Sequence, residues 1–157
     1  MRPMTTGLRW LGLVVGMAIG AAACSSSGGG ADKFVGTWSY AGAITPNCTG
    51  FDIAPIDLTG DTVVITATDA SHLNVALGTY CTVTFNANGT TATTAANQTC
   101  TFPIPGFGSQ PVMITSWTLT LAGDNTLTSN FMGMAAGLCT PSGTGTLTRQ
   151  SDAGAVD

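Results

Sequence analysis

His72 is the only histidine in this 157-residue chain, so a Ser-His-Asp or Cys-His relay would have to pass through it. Asp69 lies three residues earlier, and the run Asp69-Ala70-Ser71 reads as an exposed turn that leaves both side chains solvated. Asp52, Asp57, Asp61 and Asp69 form a loose acidic run of the kind that can collect calcium, an ion that takes six to eight oxygen ligands. They lack regular ligand spacing, and turn chemistry accounts for Asp61 and Asp69. All eight acidic residues are Asp, the only cations are Arg2, Arg9, Lys33 and Arg149, and charged residues make up 8% of the chain. A glycosidase-type carboxylate pair would find little around it to separate two pKa values. The same composition excludes a basic nucleic-acid surface and a charge-laced coiled coil. The expectation is a non-enzymatic protein with no catalytic residue, no metal and no cofactor.

The five cysteines divide into one and four. Arg2 and Arg9 precede an apolar stretch, Trp10 to Ala23, that is too short for a spanning helix, which needs about 20 residues. That stretch ends in Gly20-Ala21-Ala22-Ala23, small residues a signal peptidase can cut, and Cys24 follows directly. This segment resembles the lipobox of bacterial lipoproteins, with Ala21 where that motif more often carries Leu. The resemblance implies residues 1–23 as a signal peptide, an acylated Cys24 as the first mature residue, and Ser25 as an outer-membrane sorting signal. Ordinary secretion with cleavage near Ala23 is the alternative. Residues 24–33, rich in Ser and Gly, then read as a flexible tether. The mature chain keeps Lys33 and Arg149 against eight Asp, a formal charge of −6, so anionic headgroups repel it and the lipid anchor must hold it at the membrane.

Cys48, Cys81, Cys100 and Cys139 are an even set in an exported domain, which reads as two disulfides with three possible connectivities. Their wide spacing does not suit structural zinc. Residues 34–149 read as one β domain and 150–157 as a disordered tail. Val63, Ile65 and Ala67, then Leu73, Val75 and Leu77, then Cys81, Val83 and Phe85 each alternate with polar neighbours, the period of half-buried strands. Met113, Thr115, Trp117, Leu119 and Leu121 are assigned to one face of a further run, and Leu127, Ser129 and Phe131 to the next. Gly60-Asp61, Asn88-Gly89 and Gly123-Asp124-Asn125 punctuate these runs as turns.

An antiparallel meander of about eight or nine strands must protect its edges, by closing into a small barrel or by splitting into a β-sandwich. Pairing the first strand with the last favours closure. A register that sets Trp38 opposite Arg149 also sets Cys48 opposite Cys139 and leaves Cys81 with Cys100, a pairing that needs an irregular segment near 95–99. Gly42, Gly143 and Gly145 then point inward, to leave either space or a tight backbone approach.

Gly36-Thr37-Trp38 near the domain's start, with Arg149 in its last strand, resembles the signature of the calycins, the lipocalin and fatty-acid-binding-protein group. Avidin-like barrels open with a similar Gly-Thr-Trp. The resemblance implies that Trp38 and Arg149 close an up-and-down barrel able to hold a small apolar ligand. Two greasy segments read as loops, one with Phe102 and Phe107, the other with Phe131, Met132 and Met134. They would plug a barrel end or form a lip for a ligand or partner. The expected function is small-ligand binding by an outer-membrane-anchored lipoprotein; the alternative is a filled structural or interaction module working with an envelope protein.

Overall fold

Period-two alternation runs through nearly every strand of the computed structural model, which describes residues 30–135 and 139–151. The signal segment, Cys24, most of the tether, residues 136–138 and residues 152–157 lie outside the described residues. Ten strands follow in order: β1 (Gly36–Cys48), β2 (Ile56–Asp57), β3 (Thr62–Ala67), β4 (His72–Leu77), β5 (Cys81–Asn88), β6 (Thr91–Thr94), β7 (Thr99–Ile104), β8 (Gly108–Gly123), β9 (Thr126–Ala135) and β10 (Cys139–Arg149). All pairings are antiparallel, and β1 pairs with β10, closing the sheet into a barrel.

Eight strands make the barrel wall and two are short extras. The extras are halves of broken strands. β2 and β3 both pair with β1, and β6 and β7 both pair with β8. With each broken strand taken as one, the chain is an up-and-down meander in which every strand neighbours the next. The closing register is the expected one: Trp38 pairs with Arg149 and Cys48 with Cys139. The disulfides are Cys48–Cys139 and Cys81–Cys100. The barrel therefore has the architecture that the calycin resemblance implied.

Three details depart from the sequence reading. Met113 and Thr115 do not share a face with Trp117, because a register shift between Ile114 and Ser116 changes the phase of β8. Val112 and Ile114 point inward before the shift, Trp117 and Leu119 after it, and Met113 is exposed. The two greasy loops are also mostly strand. Phe102 and Ile104 face inward from β7, and in β9 Phe131 and Ala135 face inward while Met132 and Met134 face out. Alternation was present there, masked by apolar residues on both faces. Lastly, Ala31–Lys33 at the tether's end form a 3-10 turn with Ala31 buried and Phe34 fully buried behind it.

Candidate functional site

The base of the barrel is closed by one cation. Arg149 lies with its guanidinium carbon 4.2 Å from the centroid of the fully buried Trp38 ring. Its Nη2 donates to the Lys33 carbonyl at 3.1 Å, its Nη1 donates to the Val35 carbonyl, and the Trp38 indole N–H donates to Phe34 O at 3.0 Å. Gly36 completes the arrangement. A Cβ there would fall within 3.0 Å of Arg149 Nη1, and its φ of +146° suits glycine alone. Gly-x-Trp and a distant Arg belong together because the guanidinium occupies the space a side chain would need.

Above the base, aromatic rings pack against one another. Centroid separations of 5.4, 5.9, 5.6 and 5.3 Å link Tyr80, Phe102, Phe131, Trp117 and Phe85 in sequence. Tyr40, Phe85, Phe102, Trp117, Leu127, Phe131 and Leu147 are each at most 3% accessible. The one buried polar side chain among the described residues, Ser129, accepts the Trp117 indole N–H at 2.9 Å. It also meets the Tyr40 hydroxyl, whose pKa is raised by burial and only partly lowered by that hydrogen bond. The inward glycines serve close approach. The Tyr40 ring occupies the Cβ position of Gly145, and backbone of the facing strand occupies those of Gly42 and Gly143.

The wall has a seam where β7 runs beside β5. The Thr84 N–H donates to the side-chain Oε1 of Gln98 at 3.3 Å, Thr101 N–H donates to Tyr80 O at 3.0 Å, and Cys81–Cys100 staples the two segments. The break between β6 and β7 that creates this seam holds Asn97 at φ 61°.

At the opposite end from Arg149, Phe51 and Phe107 meet edge to face at 5.6 Å, yet remain 56% and 48% exposed. The Phe107 N–H donates to Ile104 O at 2.9 Å and Gln110 Nε2 donates to Phe107 O at 2.7 Å, which pins the β7–β8 hairpin tip. Phe51 bridges back to Cys48, beside the Cys48–Cys139 disulfide. Met113 and Met134 are direct cross-strand partners on the outer wall, with Met132 two residues along; all three are exposed.

His72 and Asp69 do meet, without forming a relay. Asp69 Oδ2 lies 2.7 Å from His72 Nδ1, and Ser71 Oγ lies 3.2 Å from that same nitrogen. A relay needs the acid and the nucleophile on opposite ring nitrogens. Asp69 Oδ1 also accepts the backbone N–H groups of Ser71 and His72, and these bonds, Ser71's first and the His72 side chain's next, hold the exposed carboxyl at about 2. Among the described residues no three His, Cys, Asp or Glu side chains gather as a metal site.

No protein-family model matches the chain. No curated protein matches it either. Among solved structures it is similar to EF1p2_mFAP2b bound to DFHBI, at 14% identity and TM-score 0.45, covering 78% of this chain and 98% of that one. It is also similar to a de novo designed fluorescence-activating β-barrel, at 11% identity and TM-score 0.35 with the same coverage. The barrel assignment rests on the chain's own strand ladder.

Of the residues singled out from sequence, Trp38 and Arg149 meet, as do the two cysteine pairs; Phe102 and Phe131 belong to the interior, and Phe107, Met132 and Met134 to the surface. Phe51, Tyr80, Phe34 and Gln98 were missed. Only an isolated aromatic beside Asp52 signalled Phe51, and nothing local marks Gln98 as a substitute for a backbone acceptor.

Proposed function

We propose that the protein is a non-enzymatic interaction module of the bacterial envelope, held at the outer membrane through an acylated Cys24 and presenting the Phe51–Phe107 end of a filled barrel. The observation that carries this reading is the contrast between a packed aromatic interior and two large aromatics left in solvent at one end. Anchoring would orient the domain. Ala31 is pinned to the base loop by its N–H bond to Ala70 O at 3.2 Å, and the residues from Cys24 to Gly30 reach at most about 25 Å when extended. The base would then face the membrane and the aromatic end would face away from it.

Carriage of a small apolar ligand is the second reading, favoured by the apolar, aromatic lining of the barrel. It requires Phe102, Phe131 and Trp117 to move aside. Native mass spectrometry of protein purified from its own host separates the two, with the protein mass alone expected from an interaction module. A stoichiometric co-purifying small molecule would establish the carrier instead. A hydrophobic fluorescent probe should bind the native surface and lose most of its signal with Phe107→Asp, Met134→Asp at little cost in stability. Detergent partitioning that survives Cys24→Ala would overturn the anchor.

A further inference from the structure

We infer that the Phe51–Phe107 end docks a basic, apolar segment of another protein chain. The inference rests on the interaction-module reading and adds the chemistry of the partner. Charge is distributed unevenly along the barrel axis. No Lys or Arg occurs between Phe34 and Thr148; Lys33 and Arg149 both sit at the base, joined through the Lys33 carbonyl. The aromatic end carries carboxylates alone. Asp52 directly follows Phe51 and is exposed, and Asp57 is exposed on β2, opposite Ala43 of β1.

The aromatic pair is already ordered. Phe107 rides a hairpin tip fixed by two hydrogen bonds, and Phe51 a turn fixed to a disulfide. Docking there immobilises few side chains of this protein, which favours affinity from a small contact. Other occupants fit worse. A second copy would bring the same carboxylates against these, and like charges across an interface repel. An anionic lipid surface meets the same repulsion. An apolar residue flanked by Lys or Arg satisfies both the rings and the carboxylates.

The test uses the full-length chain and three labelled synthetic peptides that share one apolar pattern of Leu and differ in carrying Lys, Ser or Glu between them. Fluorescence anisotropy should give at least tenfold tighter binding for the Lys peptide than for the Ser peptide, and none for the Glu peptide. Phe51→Ser with Phe107→Ser should weaken the Lys peptide at least tenfold, and Asp52→Asn with Asp57→Asn several-fold with a flatter salt dependence. Val64→Ser, which removes an exposed apolar residue from the wall, should change nothing. Circular dichroism and thermal unfolding confirm that each variant is folded. Equal binding of the Lys and Ser peptides, both lost in the Phe variant, would overturn the cationic partner and leave the docking end standing. Lys-peptide binding indifferent to the Phe variant would reduce the effect to bulk charge and overturn both. A dimer in sedimentation velocity that disappears in the Phe variant would assign the surface to a second copy.

Discussion

The guanidinium of Arg149 lies over the Trp38 indole, 4.2 Å from carbon to ring centroid, and the two residues are direct partners where the last strand meets the first. This contact makes barrel closure and base closure one event. Arg149→Ala should lower unfolding free energy by about 2 kcal/mol, from the lost cation–π contact and the carbonyls of Lys33 and Val35 left without their donor. Arg149→Lys should recover less than half, since an ammonium cannot lie flat on the ring and serve two carbonyls. Urea unfolding followed by tryptophan emission measures both, and an unchanged midpoint for Arg149→Ala would refute the role.

Gly36→Ala should be as harmful as losing the cation. The added Cβ would displace Arg149 Nη1 and hold a non-glycine residue at φ +146°, a strain of about 1–3 kcal/mol before the lost contact is counted. In the Arg149→Ala background the steric part should vanish, so a double-mutant cycle ought to show strong coupling. Additive effects would show that the two residues act separately.

Ser129→Ala leaves the buried Trp117 indole N–H and the Tyr40 hydroxyl without their shared partner. The expected loss is about 1–3 kcal/mol. Near-ultraviolet circular dichroism should change with it, because Trp117 lies between Phe85 and Phe131. A variant as stable as the parent would mean that water replaces the hydroxyl.

Removing Cys81 and Cys100 together should cost about 3 kcal/mol in the chain-entropy account, and the damage should be local first. Amides of Thr84 and Thr101, which bridge the β5–β7 seam, should exchange with solvent much faster. Those of the long β8–β9 ladder should keep their relative protection. Uniform acceleration across the barrel would deny that the staple guards a weak seam.

Acid should loosen the 68–72 turn late. Asp69 is held at about 2, below the ordinary carboxyl value near 3.9, so its contribution is complete above that ordinary value and is lost as pH falls through the folded one. Chemical shifts of the Ser71 and His72 amides should therefore titrate near pH 2 in the parent and stay flat in Asp69→Asn. A transition near pH 4 would contradict the hydrogen bonding.

Alternation, turn residues and an even set of cysteines were legible without coordinates, because a strand's period of two and a turn's demand for Gly, Asn or Asp are local. Pairing of Trp38 with Arg149 was legible too, since a single register aligned it with Cys48 and Cys139. What remained hidden depends on contacts remote in sequence. The phase of β8 turned on a bulge between Ile114 and Ser116, which costs one residue and leaves no compositional mark. The need for glycine at 145 comes from the Tyr40 ring on a facing strand, a contact that no local pattern carries. Above all, an apolar inward face lines a hollow barrel and a filled one alike; the ring contacts that bring Tyr80, Phe102, Phe131, Trp117 and Phe85 together from four strands and a turn form only when the barrel closes.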